Sequence, residues 1–285
     1  MEQEGIIKGA TIHINYKGFG CKAVADMLIT VDPLQEDQLL DRIRKSPGIY
    51  SAYSKGPKGN IGVVTALKTL QQLDAVKNAI RQNFLVSEIK TSIWTDVREM
   101  HENLILSYEK MTNIREEINS QLKTEKTPIF SNTKIVIDEI DERIAEKLSE
   151  NGREPIGTIA KEIGISADTA KRRYQKLIKN GVLKVTIQFD PIRLGYHAAA
   201  IFYAVTSHGN SSPIIEKLSQ MPDVISIMKT TGDYDLKIWI FIRDIDQLLE
   251  TQYKLIKMEG IAKIDMEIMG LPNKWPFPRQ YMSTF

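Results

Sequence analysis

The stretch Ile156–Gly181, IGTIAKEIGISADTAKRRYQKLIKNG, decides how this chain is read. Ile159, Ala160 and Ile163 have helical spacing, and Gly164 breaks that helix. Ser166 can cap a second helix, because its hydroxyl accepts from the free amides of the next turn. On that helix Ala170, Tyr174, Leu177 and Ile178 make one apolar stripe. Asp168, Thr169, Arg172, Gln175, Lys176 and Lys179 fall opposite, with Lys171 and Arg173 on the flanks. Five cationic side chains and one anionic one lie between Ser166 and Gly181. A short helix with a buried stripe and a cationic outer face, following a tight turn, is the form in which a helix-turn-helix enters a DNA major groove. The plainer alternative is an amphipathic helix with a solvated Lys/Arg face.

Outward from this stretch, helix Asp138–Asn151 is acid-rich, so the small helical domain is charge-asymmetric and would turn its basic face to phosphate. After Gly181 a strand, Val182–Phe189, is expected as the wing of a hairpin. The whole chain carries a net charge of only +2, so the local distribution, not the total, points to nucleic acid. Its single cysteine, Cys21, excludes an intrachain disulfide and a cysteine-based metal cluster. His13, His101, His197 and His208 are scattered without ligand spacing, so no metal and no cofactor is expected. The N-terminus lacks a signal-peptide core and no apolar run approaches a membrane span, which reads as a cytoplasmic protein with no membrane partner.

The chain also repeats itself. Gly5–Thr95 and Gly181–Gly270 both open on glycine, an apolar pair and lysine: GIIK at Gly5, GVLK at Gly181. From Gly20 and Gly195 onward the halves align without gaps, so that Pro47 meets Pro222, Ser51 meets Ser226, Leu73 meets Leu248 and Ile93 meets Ile268. Each half reads strand, helix, strand, turn, strand, helix, strand. In the second copy the strands are His197–Thr206, Val224–Lys229, Asp235–Ile242 and Ile261–Met269, and the helices Ser212–Gln220 and Ile245–Met258. In the first copy the helices are Gln35–Lys45 and Leu70–Asn83. That order is the split βαβ arrangement, an antiparallel sheet with two helices on one face. The bare sheet face needs a cover, for which a second copy of the domain, between or within chains, is the natural candidate. Between the copies Val97, Met100, Leu104, Met111, Ile114 and Ile118 predict a long helix over Asp96–Leu122, and Lys123–Thr133 an irregular break.

The fold class is therefore α+β: two ferredoxin-like βαββαβ domains, residues 1–96 and 191–285, flanking a helical linker (97–133) and a winged helix-turn-helix (134–190). This organisation resembles the Lrp/AsnC, or feast/famine, transcription regulators. The resemblance rests on IDEIDERIAEKL at Ile137–Leu148, IAKEIGIS at Ile159–Ser166 and KRRYQKLIKNGVLK at Lys171–Lys184. The family's Arg-x-x-x-Leu falls on Arg173 and Leu177, and its Gly-x-x-Asp motif on TGDYDL at Thr231–Leu236. It implies a sequence-specific regulator that binds double-stranded DNA, forms at least a homodimer, and answers to a small effector such as an amino acid.

Phosphate contacts are then expected from Lys171, Arg173, Lys179 and Lys184, and base contacts from Ser166, Asp168, Thr169, Arg172 and Lys176. Arg173, near the buried stripe, has bracing the domain as its alternative. The effector is expected at Gly232, Asp233, Tyr234 and Asp235, where glycine admits close approach, a carboxylate holds an ammonium group and the tyrosine covers an apolar side chain. A plain hairpin turn is the competing reading. The first copy has Pro57, Lys58, Gly59 and Asn60 there, and only four residues before GIIK, too few for a reader of its own. Two other functions stay open: a co-regulator that acts through mixed oligomers without DNA, and an enzyme like the sirohaem decarboxylases, which resemble this family.

Overall fold

A computed structural model describes residues 2–44, 46, 49–55, 60–83, 86–99, 136–207 and 211–276. The chain divides into two compact units.

The reader unit comprises residues 7–44, 46, 49–55, 60–83, 86–93, 136–189 and 274–276 of the described chain. Its first part is a ferredoxin-like domain: β2 (Ala23–Val31), α1 (Glu36–Arg44), β3 (Ile49–Ser54), β4 (Asn60–Leu67), α2 (Gln71–Asn83) and the first half of β5 (Val86–Glu99). The strand order β5-β2-β4-β3 places the first and third strands of the motif at the centre. Met27, Ile29, Val31, Ile61 and Val63 pack there against Leu39, Leu40 and Ile43 of α1.

The second part is the helix-turn-helix: α3 (Glu139–Glu150), α4 (Ile156–Ile163), α5 (Ala167–Lys179) and β6 (Leu183–Phe189). Asp138 and Asp141 form a reciprocal capping box that starts α3. Gly164, at φ 74°, ends α4 in the left-handed region, and the Ile165 N–H donates back to the Ala160 carbonyl. Ser166 caps α5 by accepting from the Thr169 N–H at 3.2 Å. Ala170 and Leu177 are the buried residues of α5. Ile178, expected in the same stripe, is instead 38% exposed, because it lies one residue round the helix from Leu177.

The wing differs from expectation. β6 makes no hairpin with a strand that follows it; its partner is β1 (Ile7–Ile14), antiparallel. Ala10 faces Ile187 and Thr11 faces Thr186, so the strands that open the two repeats pair about their common midpoint. β1 also completes the reader. Ile12, Ile14 and Phe19 share one core with Ile144, Leu148, Ile159, Ile163, Leu177 and Leu183. The Thr11 hydroxyl donates to the Ser149 carbonyl at 2.7 Å, and the Gly152 N–H to the Ala10 carbonyl at 2.9 Å. A Cβ on Gly152 would stand 2.8 Å from the Thr11 carbonyl oxygen, so only glycine lets the α3–α4 turn lie this close to β1. The expected boundary between residues 1–96 and the reader thus misplaces β1.

The C-terminal unit comprises residues 2–6, 94–99, 190–207 and 211–273 of the described chain. Its elements are β7 (Ala198–Thr206), α6 (Ser212–Ser219), β8 (Val224–Thr230), β9 (Leu236–Ile242), α7 (Ile245–Ile256) and β10 (Ile261–Met269). The order β10-β7-β9-β8 repeats that of the other copy. Phe202, Leu236, Ile238 and Ile240 pack on Ile214, Leu218, Leu248 and Leu255 of the helices. Ala199, Ile201 and Phe241, which alternation turns to the other side of the sheet, are also buried, so that face is not bare. The helix expected from Asp96 begins as strand: Trp94–Glu99 pairs with β8, burying Trp94 and Val97. The rest of that expected helix and the break at Lys123–Thr133 lie outside the described residues.

Candidate nucleic-acid interface

The sequence-predicted cations of α5 separate into two groups. Lys171, Arg172 and Lys179 are exposed, as are Gln175, Asp168 and Ser166. Lys184 is exposed on β6, opposite the nearly buried His13 of β1. Lys161, which sequence reasoning passed over, is exposed on α4. Only its position one helix ahead of the cationic face pointed to it.

Arg173 and Lys176 do something else. The Arg173 guanidinium donates to Asp138 at 2.5 Å and to Asp141 at 3.2 Å. The Lys176 ammonium donates to the Val136 carbonyl at 2.9 Å and to Asp141 at 3.3 Å. Asp141 is fully buried, so these two cations compensate a carboxylate that would otherwise be costly to bury. Asp138 feels burial, which would raise its pKa, but bonds from the Asp141 N–H and from Arg173 outweigh it and hold the carboxyl below the usual range. The Asp138 hydrogen bond in turn holds the Arg173 guanidinium above its ordinary value. Of the two expectations for Arg173, the geometry is that of a brace between α5 and the start of α3.

Ser166 and Thr169 are likewise engaged locally. Besides capping, the Ser166 hydroxyl donates to the Thr169 hydroxyl at 2.8 Å. The exposed face is therefore a cationic strip, Lys171, Arg172 and Lys179, on a helix anchored from behind by Arg173 and Lys176. Such a strip suits phosphate and guanine edges, since Arg offers a planar fork and Lys a point charge.

The predicted effector turn lies in the C-terminal unit. Gly232, at φ 108°, and Asp233 are exposed. Asp235 is occupied: its Oδ2 accepts from the Thr206 N–H at 2.7 Å and from the Thr206 hydroxyl at 2.9 Å. In the first copy Asn60 holds the matching position. Its Oδ1 accepts from the Thr30 hydroxyl at 3.0 Å, and its carbonyl accepts from the Lys55 N–H as the Asp235 carbonyl does from Thr230. An amide and a carboxylate thus do the same job at equivalent turns, which makes the Asp235 tie structural. Tyr234 is held by its hydroxyl, which donates to Asp265 at 2.5 Å, and its ring lies tilted against that of Tyr203, with centroids 5.2 Å apart. Pro57, Lys58 and Gly59 of the first copy lie outside the described residues, as do His101 and His208.

A further polar cluster had no signal in the sequence. Asp223, 2% exposed and at φ 64°, is clamped by Arg243 through Nη1–Oδ2 at 2.8 Å and Nη2–Oδ1 at 2.9 Å. The Tyr196 hydroxyl donates to it at 2.8 Å and the Gln247 amide at 2.7 Å. It ties β7, β8 and the start of α7 together.

Comparisons with known proteins place both parts. The AsnC-type helix-turn-helix domain matches residues 137–178, and the Lrp/AsnC ligand binding domain matches residues 201–269. The HTH-type transcriptional regulator FL11 of Pyrococcus furiosus is 30% identical over 148 residues, covering 49% of this chain and 98% of that protein. The regulator LrpA of Pyrococcus horikoshii is 31% identical over 131 residues, covering 45% and 93%. Among solved structures, the siroheme decarboxylase NirDL in complex with an iron-uroporphyrin III analogue superposes with a TM-score of 0.59 over 93% of this chain and 76% of that one. At 13% identity that likeness is one of fold alone.

Proposed function

The chain belongs to the Lrp/AsnC family of transcription regulators, and from that premise we propose that it reads its operator with the outer face of α5. It is a DNA-binding regulator that carries the family's ligand-binding domain. Arg172 is the base-reading residue, with Ser166, Asp168 and Thr169 along the helix's leading end. Lys171, Lys179 and Lys184 hold phosphate. Arg173 and Lys176 fix the angle at which the helix is presented, through Asp138 and Asp141. The observation that carries this reading is the division of the α5 cations: those facing outward are exposed, and those facing α3 are consumed in its support.

A single helix-turn-helix makes few contacts, so the working form is a two-fold homodimer on a palindromic site, which doubles them. The effector is a small molecule with an ammonium group, such as an amino acid, held near the Gly232–Asp235 turn. Asp233 is the outward carboxylate, and Asp235 keeps the turn in shape. We place the protein with the DNA in the cytoplasm and assign it no catalytic step. Among the described residues no helix is long and apolar enough to cross a membrane.

Selection from random duplex DNA, followed by binding measurements on variants, tests the reading. Arg172→Ala is expected to cost about 1–3 kcal/mol on the selected site and to relax one position of it. Lys179→Ala is expected to weaken every sequence about equally and lower the salt slope by about one unit. Binding unaffected by either change overturns the proposal.

A further inference from the structure

Helix α7 of the C-terminal unit buries Leu248, Thr251 and Leu255 against its sheet. On its other side Ile245, Leu249, Tyr253 and Ile256 are 62%, 54%, 58% and 58% exposed. Their spacing puts all four within less than a quarter-turn, so they make one continuous apolar stripe about three turns long. Scattered exposed apolar residues are ordinary; a contiguous helical stripe of them marks a contact surface. The corresponding helix of the first copy does not share it. The aligned positions are Leu70, just before α2, and Asp74, Asn78 and Arg81 on it, of which only the first is apolar.

The charges beside the stripe say what fits it. Asp246 and Glu250 lie along the first half of α7, and Lys254 and Lys257 along its last turn and just beyond. A second copy of the same helix, laid antiparallel about a two-fold axis, brings Ile245 against the partner's Ile256 and Leu249 against the partner's Tyr253. In the same register Asp246 faces the partner's Lys257, and Glu250 the partner's Lys254. A parallel arrangement would put the two charged flanks on opposite sides of the seam and forgo these pairs. Glu250 and Lys254 are paired within the helix at 2.7 Å, but their side chains are 65% and 55% exposed, so they can exchange partners at little cost.

We infer that α7 is the surface through which two copies of this chain associate, stripe to stripe and antiparallel. The inference deepens the two-fold homodimer proposed above by naming the surface that makes it. Because α2 lacks the stripe, the association is isologous and closes at two chains. One helix pair is a small interface, so the dimer forms in a concentration-dependent way.

Sedimentation velocity on the full chain without DNA, from about 1 to 100 μM, tests this. The parent is expected to shift from monomer to dimer across that range. Leu249→Glu with Tyr253→Glu is expected to raise the dissociation constant by about 100-fold or more with an unchanged melting temperature. An all-basic variant (Asp246→Lys, Glu250→Lys) and an all-acidic one (Lys254→Glu, Lys257→Glu) are each expected to stay monomeric alone and to associate when mixed. A parent that is monomeric at the upper limit overturns the inference. So does a dimer that survives the Leu249→Glu, Tyr253→Glu change, or a melting temperature that falls with it, since the stripe would then pack within its own chain. DNA affinity of the parent is read separately, so failure of this surface and failure of the α5 reading are distinguishable.

Discussion

The two ferredoxin-like copies share strand order and the position of every helix, yet they spend their polar residues differently. In the second copy Asp223, Arg243 and Tyr196 form a buried network around the start of α7. In the first, the aligned residues are Gly48, Lys68 and Cys21. Gln72 still accepts from the Lys68 N–H at 2.7 Å, as Gln247 does from Arg243 at 2.6 Å, so the backbone cap survives. The cation has been redirected: the Lys68 ammonium reaches Glu142 of the reader helix α3 at 3.1 Å. The second copy is held together from within, whereas the first is built into the reader, through Lys68 and above all through β1.

The largest effect should come from breaking that union. Ile12→Ala is expected to destabilise the helix-turn-helix by about 2–5 kcal/mol in urea unfolding, although Ile12 lies far from it in sequence. Gly152→Ala should cost about 1–3 kcal/mol by pushing the α3–α4 turn off β1. If both leave the reader's unfolding midpoint unchanged, β1 is no part of it.

Next comes the contrast between the two cations. Arg243→Ala strands the buried Asp223 carboxylate and should cost about 3 kcal/mol, while Lys68→Ala breaks a surface pair and should cost less than about 1 kcal/mol. Equal losses would erase the distinction between the copies. The reader shows the same contrast between neighbours. Arg173→Ala should lower stability by about 2 kcal/mol, whereas Arg172→Ala should leave it within about 0.5 kcal/mol and act on DNA affinity alone.

The smallest effects belong to the turns and the edge strand. Asp235→Asn makes the second copy imitate Asn60 and should cost less than about 1 kcal/mol, with Asp235→Ala costing more. On β10, Lys263 and then Tyr234 hold the Asp265 carboxyl below its ordinary range. A depressed carboxylate stabilises the fold above its unfolded pKa and loses that contribution as pH falls through the folded value. The cluster should therefore matter at neutral pH and fade below about pH 4. NMR titration of Asp265 in the parent and in Lys263→Ala reads this directly; a carboxyl that titrates at its ordinary value in the parent removes the cluster from the account.

Most of the architecture was legible because it is local. The spacing of Ile159, Ala160 and Ile163, the break at Gly164 and the cap at Ser166 fix α4 and α5 within the segment itself. The apolar run Ile238–Ile242 fixes a central strand in the same way. What escaped was long-range. Nothing near Ile7–Ile14 says that its partner is Leu183–Phe189, since both read simply as strands opening their repeats. Within the site, the cationic face of α5 was visible as a set of charges. Its division was not, because that depends on where Asp138 and Asp141 end up once α3 packs across the helix. The turn at Gly232–Asp235 shows the same limit. Its residue types suit an ammonium ligand, but the Asp235 tie to Thr206 appears only when β7 is beside it.

The central claim is that the outward cations of α5 hold DNA, and the most direct measurement is the salt dependence of duplex binding by a Lys171→Ala, Arg172→Ala, Lys179→Ala variant. These side chains are exposed, so the variant should unfold at the parent's temperature. The account predicts that it loses most of its affinity and that the slope of log K against log salt flattens by about 2 units or more. A variant that binds as tightly as the parent, with the same slope, would contradict it.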